Sequence, residues 1–331
     1  MGRRLKLQNR IGQSIVTLPI CALLVLILWW LPQGSYSQDY AVALVLTALI
    51  AYIITETNNT YMLLRTRSRM IASVWLFASA CMGLIHPFLP STLGTFCLAA
   101  SYFLLFRTYQ QTEPVTDVFH TFVMLSLGGL FFSPIFLFAP FFLWYLIVFM
   151  RALTLRTLFA SLLGLALPFW FWGGWQLLQG DFSPLLSWWD TLPFHIHINV
   201  PLPETTEVSA ISLLSMGMKN GGELFWLLLL SLLSLWTGIA YLTHSYDDKI
   251  RTRMMLYVYV FQTVLTLFSS VLLSGYFPYF YFLPVLLLNA SPLMAHYFTL
   301  RNTWTCFVIF IMALLGCFAL AALTMLPIAI G

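Results

Sequence analysis

Long apolar segments separated by short polar connections run along almost the whole chain. A helix that crosses ~30 Å of hydrocarbon needs about 20 residues. Several predicted turns contain proline, which cannot continue the hydrogen-bond ladder of a helix. We therefore predict an all-α fold, a polytopic transmembrane helical bundle. The pattern places eleven spans near residues 14–31, 40–55, 70–86, 91–106, 118–132, 134–150, 155–177, 223–243, 254–274, 279–298 and 304–327.

One long polar segment, residues 178–222, interrupts this pattern. Seven predicted spans precede it, in residues 1–177, and four follow it, in residues 223–331. We treat residues 1–331 as a single transmembrane domain with this segment as its one large loop. If the protein has chemistry on a water-facing surface, this loop is where we expect it.

Composition supports the membrane interpretation. Hydrophobic residues make up 60% of the chain and charged residues 8%, against roughly 45–50% and about 25% in soluble domains. Helical membrane proteins have such a composition, because each span satisfies its own backbone polar groups. The five cysteines all fall in predicted spans and form no CxxC pair. The sequence therefore predicts neither a disulfide framework nor a zinc site, and we expect no cofactor.

The basic residues predict the orientation of the spans. If the amino terminus is cytoplasmic, fourteen of the 15 Lys and Arg residues lie on the cytoplasmic side and only Lys219 lies outside. This asymmetry follows the positive-inside rule. It places the carboxyl terminus and the loop 178–222 outside the cytoplasm. It also accounts for the net charge of +4, so we expect no nucleic-acid partner.

Two charged connections on the predicted cytoplasmic side contain both acidic and basic residues. They lie near residues 56–69 and 247–253. We interpret them as solvated orientation signals. The alternative is that they bind anionic lipid or a cytoplasmic partner.

Three segments of the amino-terminal half carry a resemblance to a known family. They are Ser126–Pro134, with its Gly-Gly pair, the Arg-flanked segment Arg151–Arg156, and Ser161–Pro168. In these, and in Asn58-Asn59 upstream, the chain resembles an uncharacterised multi-pass inner-membrane protein family of the Bacteroidota with a domain of unknown function. The resemblance covers about the first 180 residues. It implies a multi-pass membrane protein and supplies no catalytic residues.

The layout of many spans and one large outer loop also resembles O-antigen polymerases and C-type membrane glycosyltransferases. The C-type enzymes place a catalytic carboxylate in the first outer loop, where this chain has Asp39. The alternative is that Asp39 caps the second span. The outer loops of the polymerases use Arg to bind polyprenyl pyrophosphate. Here Lys219 is the only basic residue on the predicted outer side.

Tryptophan is concentrated at the start of the large loop. Flat aromatic faces suit sugar rings, and a nearby carboxylate can act as general base toward a hydroxyl. The alternative is an aromatic belt at the membrane interface. The candidate substrate-binding residues are Trp172, Trp175, Trp188 and Trp189, and the candidate catalytic carboxylates beside them are Asp181 and Asp190.

Histidines supply two further candidates. If residues 195–197 form an extended segment, His195 and His197 lie on one face, and a third ligand from Asp190, Glu204 or Glu207 would complete a divalent metal site. The alternative is a loop strand packed on the outer face of the bundle. His86 lies at the outer end of its predicted span. It is a candidate substrate-binding residue, and the alternative is that its side chain reaches the lipid headgroups.

Two further features of the predicted spans affect how the helices pack against one another. Asn289 lies just before Pro292, and we expect it to satisfy carbonyls that the proline leaves without a donor. Small residues, among them Gly128, Gly164 and Gly316, favour close approach of neighbouring helices.

Two functional hypotheses remain open at this point, and the sequence does not decide whether the protein is an enzyme. The first is a protein that handles a lipid or a lipid-linked glycan at the outer face of the membrane. The second is a non-catalytic scaffold or assembly subunit of an envelope complex, with a transporter as a third. The expected partners are membrane lipids and either a polyprenyl-linked glycan or an envelope protein.

Overall fold

The computed structural model describes residues 11–12, 14, 16–30, 38–65, 68–180, 182–190, 222–273, 276–301 and 303–325. Within these ranges all regular elements are helical, and the predicted all-α fold is confirmed there. The twelve α-helices are α1 Thr17–Trp30, α2 Gln38–Tyr61, α3 Met70–Cys81, α4 Pro90–Arg107, α5 Val115–Phe131, α6 Ala139–Tyr145, α7 Leu155–Gln179, α8 Ser183–Asp190, α9 Glu223–His244, α10 Ile250–Leu272, α11 Leu283–Leu300 and α12 Trp304–Met325.

Among the described residues, seven helical segments are long and apolar enough to cross a membrane, judged by length and composition. Three more apolar helices are shorter, and they are Thr17–Trp29, Met70–Cys81 and Val115–Phe131. Each predicted span coincides with a helical segment, whereas the count of eleven crossings stays a prediction. The seven segments are Gln38–Tyr61, Ser133–Met150, Leu155–Gln179, Glu223–Asp247, Ile250–Leu272, Tyr279–Leu300 and Trp304–Ala322.

Two segments depart from simple α-helices. A 3-10 turn, Ser133–Phe138, precedes α6 and a π turn, Leu146–Met150, follows it, so three short elements together form one predicted span. The predicted span 70–86 ends early, because α3 stops at Cys81 and a 3-10 turn takes over at Gly83–Ile85.

The centre of the bundle is α11. The apolar segment Tyr279–Leu300 contains this helix, and 89% of an 18-residue stretch of it is buried inside the bundle. The corresponding share is 28% in Leu155–Gln179 and in Trp304–Ala322. The helix packs against α3, α4, α9 and α10. Polar side chains on α11 therefore meet partners from several helices rather than lipid or water.

Small residues bring α4, α5 and α7 close together, as predicted for Gly128 and Gly164. A Cβ on Gly164 would lie 2.6 Å from the carbonyl oxygen of Phe119, and one on Gly128 would lie 3.2 Å from the carbonyl oxygen of Gly94. Gly316 has more room, since a Cβ there would meet Leu229 at 3.4 Å. Backbones approach this closely only where side chains are absent.

Asn289 joins helices through its side chain. The Tyr102 hydroxyl donates to Asn289 Oδ1 at 2.7 Å, and Asn289 Nδ2 donates to Thr266 Oγ1 at 3.0 Å. The prediction that Asn289 satisfies carbonyls near Pro292 is therefore wrong. The asparagine faces α4 and α10, whose hydroxyl groups lie within hydrogen-bonding distance.

Candidate functional site

Hydrogen bonds join distant connections at one end of the bundle. Arg65, between α2 and α3, bonds to Asp248, between α9 and α10. The backbone N–H of Gln110, after α4, donates to the carbonyl oxygen of Met150, before α7, at 2.9 Å. We call this end the arginine end. All nine Lys and Arg residues of the described ranges lie in its connections or adjoining helical turns: Arg65, Arg69, Arg107, Arg151, Arg156, Lys249, Arg251, Arg253 and Arg301.

The opposite end, which we call the tryptophan end, is organised around Trp188 on α8. Gly180 ends α7 in the left-handed conformation, at φ 71°, and allows the chain to turn back. Trp188 Nε1 then donates to the carbonyl oxygen of Gly129 at 3.2 Å. The Trp188 ring lies 4.6 Å from the ring of Phe169 and 6.2 Å from that of Trp172, between centroids. The structure thus brings Trp172 and Trp188 together.

The other two candidate tryptophans lie at the same end with their rings exposed. Trp175, near the end of α7, is 58% exposed and Trp189, on α8, is 55% exposed. Asp190 is the last residue of α8. Asp181, His195 and His197 lie outside the described residues. Two packed and two exposed tryptophans therefore surround the place where the chain enters the large loop.

Asp39 lies in the first turn of α2 and its side chain is exposed. A carboxylate there interacts favourably with the positive end of the helix dipole. This position fits the interpretation in which Asp39 caps the second span. Its catalytic role stays a prediction.

His86 is a buried residue that follows α3. Its Nε2 atom lies 3.2 Å from the carbonyl oxygens of both Ser79 and Ala80. Those carbonyls belong to the last turn of α3, whose acceptors lack helical partners. The ring also stacks on Trp29, with centroids 4.0 Å apart. The imidazole therefore lies against the carbonyl groups at the end of α3, inside the bundle. This contradicts the interpretation that His86 reaches the lipid headgroups.

At the arginine end the structure assembles a group of charged residues that the sequence did not reveal. The Asp248 side chain is only 1% exposed. Its Oδ1 atom accepts a hydrogen bond from Arg65 Nε at 2.6 Å, and its Oδ2 atom lies 2.9 Å from His296 Nε2. We call Arg65, Asp248 and His296 the Asp248 centre.

Local structure positions two members of the centre, Asp248 and Arg65. After α9 the backbone N–H of Asp248 donates to the carbonyl oxygen of Ser245 at 3.1 Å, which turns the carboxylate inward. The connection that carries Arg65 is closed by Asn58, whose Nδ2 donates to the Ser68 carbonyl oxygen at 2.9 Å and whose Oδ1 accepts from the Leu64 N–H at 3.1 Å.

The electrostatics of the centre favour the charged carboxylate. Burial on its own raises the pKa of Asp248, but the hydrogen bonds and charges of His296 and Arg65 outweigh it and hold the pKa below its ordinary value. The carboxylate is therefore ionised at neutral pH. Two donors, one from the connection between α2 and α3 and one from helix α11, are fixed around it.

The interpretation of residues 247–253 as a solvated orientation signal is wrong at Asp248, because this side chain is buried and paired. One feature of the sequence pointed to a buried polar pairing at this place. His296 is an ionisable residue inside a predicted span, and such residues need partners. No pattern in the neighbouring sequence identified its partner, Asp248, which lies 48 residues away along the chain.

A polar cavity of about 320 Å³ adjoins the centre, between the ends of α9 and α11. Arg301 lies in its wall, where Nη2 donates to the carbonyl oxygen of Ala240 at 2.8 Å. The other polar groups around the cavity include Thr237, Tyr241, His244, Asp247 and Tyr297.

The described residues contain no group of three or more His, Cys, Asp or Glu side chains that could hold a metal ion. The predicted metal ligands His195 and His197 lie outside this part of the chain, so the metal hypothesis stays untested.

Comparison with protein-family models, with curated proteins and with solved structures found no match to this chain. The resemblance to a membrane protein family of the Bacteroidota therefore stays a prediction.

Proposed function

We propose that this chain is a multi-pass protein of the bacterial inner membrane that handles a lipid or a lipid-linked glycan at its tryptophan end. The basic residues at the opposite end support this orientation, because the positive-inside rule assigns them to the cytoplasm. The tryptophan end then faces the outer compartment. The sequence resemblance to inner-membrane proteins of the Bacteroidota agrees with this location.

The anchored Trp188 ring is the observation that carries the proposal. Its bond to the Gly129 carbonyl fixes α8 against α5, and its contact with Trp172 builds a rigid aromatic surface. Exposed Trp175 and Trp189 continue that surface beyond the packed rings. Such rings present an apolar face with a polar edge, which suits an amphipathic ligand at the membrane boundary.

A transferase or polymerase reaction at this end needs a carboxylate that acts as general base toward a sugar hydroxyl. The candidates are Asp39, Asp181 and Asp190. Asn substitutions at these positions separate an enzyme from a binding protein. In an enzyme, at least one of them abolishes the glycan product while the amount of protein in the membrane is unchanged.

A scaffold is the second candidate function. The exposed apolar side chains near the end of α7 favour it, because they provide a surface on which another envelope protein can dock. They are Trp170, Phe171, Leu177 and Leu178.

Native mass spectrometry of the protein purified with its lipids tests the proposal. We expect bound lipid or polyprenyl-linked glycan on the wild type, and fewer adducts per chain in Trp175→Ala and Trp189→Ala. Trp304→Ala is the matched control, since Trp304 is 68% exposed but lies at the arginine end.

A wild type without lipid or glycan adducts, or equal retention in all three variants, contradicts the proposal. A co-purifying envelope protein that is lost only from Trp175→Ala and Trp189→Ala, with lipid adducts unchanged, supports the scaffold instead.

A further inference from the structure

We propose that the arginine end contains a second binding site, for a lipid with a phosphate headgroup. The phosphate binds in the polar cavity between Arg65 and Arg301, and part of one acyl chain enters an apolar crevice on the same two helices, α9 and α11. This inference goes beyond the proposed function at the tryptophan end and shares with it only the proposed orientation in the membrane.

The polar cavity has the chemistry of an anion site. Arg65 and Arg301 both line it, together with the imidazoles of His244 and His296 and the carboxylates of Asp247 and Asp248. The Asp248 carboxylate is paired with Arg65 and His296, and Asp247 is exposed. The donors that face a phosphate are therefore the guanidinium groups of Arg65 and Arg301. Guanidinium groups bind phosphate oxygens in pairs, with a planar fork of N–H donors. A volume of about 320 Å³ lies within the range of roughly 300–1,000 Å³ that is usual for ligand sites.

Both arginines are held in position before any ligand binds. The Asp248 carboxylate accepts from Arg65 Nε at 2.6 Å, while the Arg65 side chain is still 46% exposed. Arg301 is fixed by its bond to the Ala240 carbonyl oxygen and by the Tyr297 ring, whose centroid lies 5.8 Å from its guanidinium carbon. Asp248 and Tyr297 therefore act as positioning residues that lower the ordering cost of binding.

The apolar crevice lies on the same two helices as the polar cavity. It has a volume of about 100 Å³ and its exposed lining is apolar. Leu233 on α9 precedes the cavity residue Thr237 by four residues, which is about 6 Å along the helix axis. On α11, Met294 and Phe298 line the crevice while His296 and Arg301 line the cavity. On α9 the apolar lining thus gives way to the polar lining toward the end of the helix, and on α11 the two sets of lining residues lie side by side.

This pair of spaces selects a lipid over a free anion. A soluble phosphate compound uses only the polar cavity, whereas a phospholipid uses both spaces. Basic pockets between helices on the cytoplasmic side of a membrane are known to bind anionic headgroups. Under the proposed orientation, the cavity opens at that level.

The test is the thermal stability of the purified full chain in detergent, with one probe added at a time. The probes are short-chain phosphatidic acid, phosphatidylcholine and inorganic phosphate. We expect phosphatidic acid to raise the unfolding temperature and inorganic phosphate to leave it unchanged. Phosphatidylcholine, whose headgroup carries no net charge, should have a smaller effect than phosphatidic acid.

Two variants locate the site. Arg301→Gln should weaken the apparent affinity for phosphatidic acid about tenfold, the value expected for losing a charged hydrogen bond. Leu233→Trp should fill the crevice and weaken it without removing a charge. Arg156→Gln is the control, because Arg156 is exposed at the same end but lines neither space.

If Arg301→Gln fails to fold, Arg301→Lys keeps the charge and loses the planar fork, and should also weaken binding. Equal stabilisation by inorganic phosphate and phosphatidic acid overturns the lipid assignment. Equal effects of phosphatidic acid on the wild type, Arg301→Gln and Leu233→Trp overturn the site. Neither result affects the adduct measurement on the Trp175 and Trp189 variants.

Discussion

His296 Nε2 lies 2.9 Å from Asp248 Oδ2, so the last turns of the central helix α11 are tied to the connection between α9 and α10. Arg65 bonds to the other oxygen of the same carboxylate and adds the connection between α2 and α3. One buried carboxylate therefore joins three parts of the chain that are far apart in sequence.

Replacing Asp248 by Asn is expected to destabilise the fold by about 1–3 kcal/mol. The reason is that a buried carboxylate loses two charge-assisted hydrogen bonds, while the exposure of Arg65 limits the loss. Reversible unfolding in mixed detergent measures the free energy. Asp247→Asn is the matched control, since Asp247 is the exposed neighbour, and it should change stability little. Equal losses in both variants contradict the role of the centre.

Acid should weaken the Asp248 centre. Because the folded-state pKa of Asp248 lies below its ordinary value, the stabilisation is fully present above about pH 4 and is lost as the pH falls through the lowered pKa. The unfolding temperature of the wild type should therefore fall more between pH 6 and pH 3 than that of Asp248→Asn. All other carboxyl groups are present in both proteins, so their contributions cancel in the difference between the two pH profiles. Parallel pH profiles disagree with this assignment.

Gly164 is expected to tolerate no side chain. A Cβ there would lie 2.6 Å from the carbonyl oxygen of Phe119 and 3.0 Å from Phe122 Cβ. Gly164→Ala should destabilise the fold by about 1–3 kcal/mol, because α5 and α7 must separate. In the same helix, Gly173→Ala meets nothing within 4 Å and should be neutral or slightly stabilising. Detergent unfolding of the two variants decides this, and the close packing is refuted if they behave alike.

Tyr102 and Asn289 should be energetically coupled. The Tyr102 hydroxyl donates to Asn289 Oδ1 at 2.7 Å in the buried core. A double-mutant cycle with Tyr102→Phe and Asn289→Ala should give a coupling energy of roughly 0.5–2 kcal/mol, the range for hydrogen bonds between membrane helices. Strict additivity of the two substitutions would mean that this bond contributes nothing to stability.

The sequence predicted most helices because their signal is local. The predicted span 155–177 corresponds to α7 Leu155–Gln179, and the span 91–106 to α4 Pro90–Arg107. Long apolar runs ended by Gly, Pro or Arg are sufficient for that purpose. The short helix α8 Ser183–Asp190 was not singled out within the loop, since eight residues are too few for a clear periodicity.

The candidate sites were predictable to different degrees. Tryptophan density drew attention to Trp172 and Trp188, but their contact depends on the return of α8 onto α5. The Asp248 centre depends on which connections meet in space, and no local pattern encodes that. A charged residue such as Asp248 in a short connection has the same sequence signature whether it is solvated or buried.

Cysteine labelling measures directly which side of the membrane each end of the bundle faces. The five native cysteines are all buried, so an impermeant maleimide should react little with the wild type. Ser187→Cys reports on the tryptophan end and Tyr246→Cys on the arginine end, since both side chains are exposed. We predict that Ser187→Cys is labelled in intact spheroplasts and Tyr246→Cys only after permeabilisation. Labelling of Tyr246→Cys in intact spheroplasts, or of both variants from the same side, would contradict the proposed orientation and the outer location of the tryptophan end.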